Sequence, residues 1–174
     1  MNIILIGYRG TGKSAVAEIL SKALNMECLG MDAEIVKRAG ISIPKIVEKY
    51  GWPGFRDMES ELAREISRLD NVIVDTGGGV IERPENIEVL RTNGLVFWLK
   101  ASVEVIVKRI QDGTERPALT KEKSFTEEVQ EVLERRIPKY SAASQYEIDT
   151  DHMTTDQVAS RIIDIWKKAY NKAD

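Results

Sequence analysis

The fold of this 174-residue chain is decided by the stretch Asn2-Ile3-Ile4-Leu5-Ile6-Gly7-Tyr8-Arg9-Gly10-Thr11-Gly12-Lys13-Ser14. After Asn2, residues 3–6 are continuously apolar, so the stretch 2–6 is typical of a buried strand in a parallel sheet. Residues 7–14 fit the pattern G-x-x-x-x-G-K-[ST], and residues 13–24 carry apolar side chains at helical spacing. Because the glycine-rich turn lies between a strand and a helix, the pattern predicts a phosphate-binding loop for a nucleoside triphosphate.

The chemistry of this loop follows from its residue types. Glycines let the backbone curl so that successive N–H groups point inward and bind an anion, and the following helix adds its positive N-terminal end. The ammonium group of Lys13 is expected to reach the β- and γ-phosphates, and the hydroxyl of Ser14 to bind Mg²⁺. The sequence thus predicts a nucleoside triphosphate as co-substrate, Mg²⁺ as cofactor, and a nucleotide site made of Gly10, Thr11, Gly12, Lys13, Ser14 and Ala15.

Outward from the loop, strands alternate with helices. Further strands are predicted at Cys28-Leu29, Val72-Ile73-Val74, 95–99 and Tyr146–Ile148, the last as an edge or final strand. Helices are predicted in pieces over 32–68, broken near Gly40, Pro44, Gly51 and Pro53, then after Pro84, over 103–110, over 125–137, and over 154–170 with Thr154 or Thr155 as N-cap.

This alternation predicts an α/β protein with three layers, α/β/α, around a central five-stranded parallel sheet, the P-loop NTPase fold. The chain length predicts a single P-loop domain over 1–174. Residues 112–124 are polar and turn-rich, so they are predicted to form a mobile loop.

Composition narrows the classes of function. The net charge is −3 and the pI about 5.4, which argues against a nucleic-acid partner, and no apolar run approaches the roughly 20 residues of a membrane helix. No signal peptide is visible, so we expect a cytoplasmic protein. We also expect it to act as a monomer on small molecules. The single cysteine, Cys28, excludes a disulfide framework within the chain, and the single histidine, His152, argues against His-based triads and His-rich metal sites. The remaining Lys, Arg, Asp and Ser chemistry suits phosphate transfer.

Two further features follow the strand Val72-Ile73-Val74. Asp75 ends that strand, as the metal-binding aspartate of many P-loop enzymes does, although a strand-end aspartate also commonly caps a turn. Gly77, Gly78 and Gly79 follow, and three residues without side chains let a substrate approach the backbone closely. A role of these glycines in packing alone is the alternative.

The chain resembles the shikimate kinases from about residue 2 to about residue 168. The resemblance is carried, in order, by the glycine-rich loop, Asp32, Gly54-Phe55-Arg56-x-x-Glu59, Gly77-Gly78-Gly79, Arg116-Pro117 and Arg135-Arg136-x-Pro138-x-Tyr140. It implies ATP-dependent phosphorylation of the 3-hydroxyl of shikimate, on the route to chorismate and the aromatic amino acids. The alternatives are another small-molecule P-loop kinase, of the gluconate or nucleoside monophosphate type, or a catalytically weak nucleotide-binding homologue.

The same resemblance assigns site residues. It implies an acceptor subregion at about 32–61, in which Arg56 and Arg136 bind the shikimate carboxylate, Asp32 binds ring hydroxyls and acts as base, and backbone groups of Gly77, Gly78 and Gly79 line the pocket. It also implies that the chain is a single kinase domain and that the loop at about 112–124 is its lid. From this lid Arg116 would neutralise the transferring phosphoryl group, which makes Lys13, Asp32 and Arg116 the expected catalytic residues. Arg109 would stack on the adenine of ATP, near Thr150-Asp151-His152. Taken alone, Arg56 and Arg136 would be surface helix charges, the latter paired with Glu131 or Glu134.

The sequence departs from the family at one position. Two aspartates separated by one residue are common after the second strand, the first for the metal and the second for shikimate, but here the segment is Leu29-Gly30-Met31-Asp32. Gly30 carries no carboxylate. We hypothesise that Asp75 supplies the missing charge at the metal, and that Glu34 faces elsewhere on its helix.

Overall fold

The computed structural model describes residues 1–113 and 124–171 of the chain. Its five strands are β1 (Asn2–Ile6), β2 (Glu27–Gly30), β3 (Val72–Asp75), β4 (Gly94–Lys100) and β5 (Tyr146–Asp149). They form one sheet in the order β2-β3-β1-β4-β5, and every neighbouring pair is parallel. The predicted five-stranded parallel sheet is thereby confirmed.

The helices are α1 (Lys13–Leu24), α2 (Met31–Ala39), α3 (Ile43–Ile66), α4 (Pro84–Arg91), α5 (Val103–Gly113), α6 (Phe125–Ala143) and α7 (Thr155–Tyr170), with a short 3₁₀ helix at Val80–Glu82. Strand β1 shows why two helical layers are needed. Ile3 and Leu5 pack with α1 and α7 on one face of the sheet, whereas Ile4 and Ile6 pack with α2, α3, α4 and α6 on the other. All four are fully buried, so both faces of the strand have to be apolar over residues 3–6.

Two helix boundaries were predicted only in part. Helix α3 is interrupted at Gly51, whose φ of 71° is left-handed, as expected from the glycine. Helix α6, however, does not end at residue 137: it runs through Pro138 to Ala143. The side chain of Tyr140 is buried and stacks on Trp98 with ring centroids 5.5 Å apart. This packing holds the helix together beyond a residue that removes one of its hydrogen bonds.

The last helix begins as its sequence requires. The Thr154 side chain accepts a hydrogen bond from the backbone of Gln157, and the Gln157 side chain accepts one from the backbone of Thr154, so Thr154 and not Thr155 is the N-cap of α7. Among the described residues no helix is long and apolar enough to cross a membrane.

The sheet presents three loops at one edge. Strand β1 ends at the glycine-rich loop, β2 ends just before Asp32, and β3 ends just before Gly77. Because the strands are parallel, these carboxyl ends lie side by side, which is where ligands bind in open α/β sheets. Most of the predicted lid, including Arg116, lies outside the described residues.

Candidate active site

The glycine-rich loop joins β1 to α1 in a conformation that only glycine adopts readily. Gly10 and Gly12 have φ values of +81° and +90°. The Lys13 ammonium donates hydrogen bonds to the carbonyl oxygens of Gly7 (2.9 Å) and Tyr8 (3.1 Å). Burial lowers the pKa of Lys13, while the charges of Asp75 and Asp32 act to raise it. A buried cation is thus held at the base of the loop.

A cavity of about 520 Å³ opens over this loop. The structure brings residues from four different sequence regions to its wall: the loop, the start of α2, the end of β3 with the glycine turn, and α5. The lining includes Gly10, Gly12, Lys13, Ser14, Ala15, Gly30, Asp32, Asp75, Gly78 and Arg109. Most of the predicted nucleotide-side residues therefore lie around one space.

Arg109 is held at the rim of this cavity by the end of β5. Its guanidinium donates to the Thr150 hydroxyl (3.0 Å) and to the Thr150 carbonyl oxygen (2.8 Å). Helix α5 lies directly on the loop, since a Cβ on Gly10 would be 3.0 Å from Cγ1 of Ile110. The predicted adenine-side groups, Arg109 and Thr150, are thus neighbours in the structure.

The candidate metal ligands are in contact. The Ser14 hydroxyl donates to Oδ2 of Asp75 at 2.6 Å, and Gly30 lies opposite Asp75 in the register of β2 and β3. A hydroxyl and one carboxylate are hard oxygen donors, as Mg²⁺ requires, and they leave positions for phosphate oxygens and water. No group of three or more His, Cys, Asp and Glu side chains suited to a metal occurs in the described part of the chain. The donor set therefore fits Mg²⁺ bound together with a nucleotide.

The glycine turn after β3 is packed against acceptor-side residues. A Cβ on Gly77 would lie 2.5 Å from Oδ1 of Asp32 and 3.1 Å from Oε1 of Glu59, and a Cβ on Gly79 would overlap the guanidinium of Arg56. These two glycines are required because charged side chains occupy the space that a side chain would fill.

Arg56 is not a surface charge. It forms an ion pair with Glu59 one helical turn later, and the side chains are only 13% and 1% exposed. Burial raises the pKa of Glu59, and the Arg56 guanidinium opposes this; burial also raises the pKa of Asp32, against the charge of Lys13. Oε1 of Glu59 is buried without a hydrogen-bond partner among the described residues. Arg56 and Glu59 thus form a buried ion pair beside the glycine turn, and the exposed side chain of Asp32 lies against the same turn at Gly77.

Arg136 lies on α6 and pairs with a residue of the 3₁₀ helix that follows the glycine turn. Its Nε donates to Oε1 of Glu82 at 2.7 Å, and its side chain is 15% exposed. The reading of Arg136 as a solvated helix charge is therefore wrong, whereas Arg135, 64% exposed, does lie at the surface. Glu34 pairs with Lys37 and Arg38 away from the cavity, as expected.

Two carboxylates in this region had been given no role by sequence reasoning. Glu59 had a local signal, because it follows Arg56 at the i,i+3 spacing of helical ion pairs. Glu82 had none, since its partners lie more than 50 residues away. Arg116 lies outside the described residues, so its position relative to the site stays a prediction.

Comparisons with known proteins agree on one family. The family model for shikimate kinase matches residues 9–167. The shikimate kinase of Caldicellulosiruptor bescii is 37% identical over 164 residues, covering 94% of each chain. That of Thermodesulfovibrio yellowstonii is 38% identical over 170 residues, covering 98% of this chain and 97% of the relative. A solved structure, shikimate kinase from Acinetobacter baumannii in complex with shikimate, superimposes with a TM-score of 0.88 at 32% identity, covering 97% of this chain and 93% of that one.

Proposed function

The chain belongs to the shikimate kinase family and catalyses ATP-dependent phosphorylation of shikimate in aromatic amino acid biosynthesis; we propose that the phosphoryl group goes to the 3-hydroxyl and that the residues described above perform the transfer. One observation carries the residue assignment. The glycine turn after β3 lines the cavity over the phosphate-binding loop through Gly78, and it packs against the buried guanidinium of Arg56 through Gly79. Phosphate donor and carboxylate-bearing acceptor can therefore meet at one turn.

Arg56 and Arg136 recognise the acceptor carboxylate in this proposal. A guanidinium pairs with a carboxylate through two parallel hydrogen bonds and stays charged at every working pH. Glu59 holds Arg56 against the glycine turn, so little side-chain freedom is lost when the acceptor binds. The shikimate ring is then oriented with its hydroxyl groups toward Asp32.

Asp32 orients the reacting hydroxyl. Its carboxylate lies against Gly77 and faces the cavity that contains Lys13. In a loose phosphoryl-transfer transition state the protein mainly positions the reactants and neutralises charge, so Asp32 accepts the hydroxyl hydrogen bond and takes up the proton late. Lys13 shifts from its loop carbonyl partners to the β- and γ-phosphates, and Arg116 completes the neutralisation from the lid.

The metal requirement is assigned to Ser14 and Asp75. Together they would hold Mg²⁺, and the chemistry that the ion would supply is neutralisation of the phosphate charge. The Ser14 hydroxyl offers one ligand from the loop, and the Asp75 carboxylate offers the negative charge that Gly30 cannot supply. The lack of a carboxylate at position 30 therefore does not favour the weak-homologue alternative.

The test is ADP release by the purified protein with shikimate, quinate, gluconate or a nucleoside monophosphate as acceptor. We expect rapid turnover with shikimate alone, and ³¹P–¹H correlation spectroscopy should place the new phosphate on the 3-hydroxyl. Lys13→Ala is the control that assigns the turnover to this chain and not to a contaminant. Faster turnover with gluconate or a nucleotide, or ATP binding without turnover on any acceptor, would refute the proposal.

A further inference from the structure

Glu82 joins the glycine turn to the predicted carboxylate-binding helix. It is the last residue of the 3₁₀ helix Val80–Glu82, and its backbone N–H donates to the carbonyl oxygen of Gly79 at 3.0 Å. The backbone of Glu82 is therefore fixed one turn after Gly79, the glycine against which the Arg56 guanidinium packs. From there it accepts a hydrogen bond from Nε of Arg136.

Three cations of α6 meet on this one carboxylate. Besides Arg136, Lys139 forms an ion pair with Oε2 of Glu82, and Arg135 approaches Oε1 at 3.4 Å. Lys139 lies one helical turn after the adjacent residues Arg135 and Arg136, so without a counter-charge the three cations would repel one another. Burial acts to raise the pKa of Glu82, but the hydrogen bonds from Lys139 and Arg136 outweigh it and hold the pKa at about 2. Glu82 is thus ionised at any working pH.

Glu82 binds one part of the Arg136 guanidinium, its Nε atom next to the side-chain stem. The opposite edge of a guanidinium, Nη1 with Nη2, is one that a carboxylate binds bidentately. Arg136 lies one helical turn before Tyr140, with which it also interacts, and the Tyr140 hydroxyl donates to the carbonyl oxygen of Gly78, so this part of α6 lies beside the glycine turn. Three cations against one carboxylate leave a net positive charge for an incoming anion.

We infer that Glu82 is a positioning residue for the acceptor: it fixes the direction of the Arg136 guanidinium, so that the shikimate carboxylate meets a preorganised partner. This inference rests on the proposed function, because it assigns a partner to a residue of that same site. Glu82 itself does not touch shikimate, so its removal should weaken acceptor binding without impairing the nucleotide side.

The test measures KM for shikimate, KM for ATP, kcat, and the Kd of shikimate by calorimetry. For Glu82→Ala we expect shikimate KM and Kd to rise about 10-fold, the factor for one charged hydrogen bond. KM for ATP and kcat should change less than about 2-fold. Glu82→Gln keeps an oxygen acceptor for Nε of Arg136, and a hydrogen bond to a neutral acceptor is about half as strong as one to a carboxylate. The shikimate KM and Kd of this variant should therefore rise only about 3-fold. Glu88→Gln, which removes an exposed carboxylate from α4, is the matched control and should change nothing.

A double-mutant cycle separates positioning from a general structural role. In an Arg136→Ala background, adding Glu82→Ala should raise shikimate KM by less than about 2-fold, because the residue through which Glu82 acts is already gone. Additive effects in the cycle, an unchanged or lower shikimate KM in Glu82→Ala, or an equal rise of both KM values would overturn the inference. Wild-type protein without shikimate turnover would instead refute the proposed function, and the inference with it.

Discussion

Moving one carboxylate between neighbouring strands should first weaken and then restore metal binding. Asp75→Asn removes the charge beside the Ser14 hydroxyl, and Gly30→Asp in that background returns a charge from the adjacent strand. The exchange is possible because Gly30 and Asp75 are opposite each other in the β2–β3 register, where neighbouring strands lie about 4.8 Å apart. Among the neighbours that the structure describes, a Cβ on Gly30 meets only Cβ of Ala33, at 3.6 Å, so a side chain fits there.

The size of the effect follows from the exposure of the site. Ser14 is exposed and Asp75 half-buried, so the local dielectric is close to that of water. There, unit charges about 4 Å apart attract by about 1 kcal/mol, and a divalent ion doubles this to about 2 kcal/mol. Asp75→Asn should therefore lower the affinity for Mg²⁺ about 30-fold. This lies within the range of about 10- to 100-fold found for residues that support metal ligands.

The assay uses two readouts. Binding of Mn²⁺ in the presence of ADP is followed by the electron paramagnetic resonance signal of the free ion, and steady-state rates at saturating ATP and shikimate are measured over a range of Mg²⁺ concentrations. Asp75→Asn should shift both curves to higher metal concentration. Adding Gly30→Asp should recover at least about 10-fold of that loss, because the returned charge is in register but not in an identical position.

Gly30→Asn in the Asp75→Asn background is the matched control. Position 30 is the N-cap of α2, and asparagine caps a helix as well as aspartate does, so any gain from helix stability alone would appear in both variants. Equal metal affinities for the two double variants, or an unchanged Mg²⁺ dependence of Asp75→Asn, would refute the reasoning.

Three further expectations concern the other parts of the site. Gly79→Ala forces the Arg56 guanidinium aside and should raise shikimate KM about 10-fold. In Gly78→Ala the nearest described atoms to the new Cβ are 3.5 Å away, so a smaller effect is expected. Equal effects of the two substitutions would contradict the packing argument. Arg109→Ala should raise KM for ATP several-fold, through loss of a cation–π contact of about 1 kcal/mol, while shikimate KM is unchanged; a rise of both would contradict an adenine-side role. Burial raises the pKa of Asp32 above its ordinary 3.8, so the carboxylate takes up its proton at a higher pH than usual. The acid limb of kcat/KM for shikimate should then have its midpoint above 3.8 and disappear in Asp32→Asn, and a limb that survives this substitution would assign it elsewhere.

The fold could be predicted because its signals are local. A strand buried on both faces is apolar over consecutive positions, as residues 3–6 of β1 and 95–99 of β4 are, so contiguous residues reveal it without knowledge of its partners. The phosphate-binding loop is equally local, since the left-handed backbone of Gly10 and Gly12 and the side chain of Lys13 lie within a few residues. The end of α6 was missed because Tyr140 is held by Trp98, on a strand about 40 residues earlier.

The sequence by itself determined the nucleotide half of this protein, and the tertiary structure decided how the acceptor half is arranged. Arg56, Arg136 and the three glycines were identifiable by resemblance, but not the fact that Gly79 accommodates Arg56 or that Glu82 binds Arg136. The hypothesis linking Asp75 to Gly30 likewise acquired a physical basis only from the register of β2 and β3. A loop that binds phosphate through its own backbone is encoded in consecutive residues. An ion pair between distant helices and turns exists only once the sheet has brought them together, because Coulomb and hydrogen-bond energies depend on distance in space and not on separation along the chain.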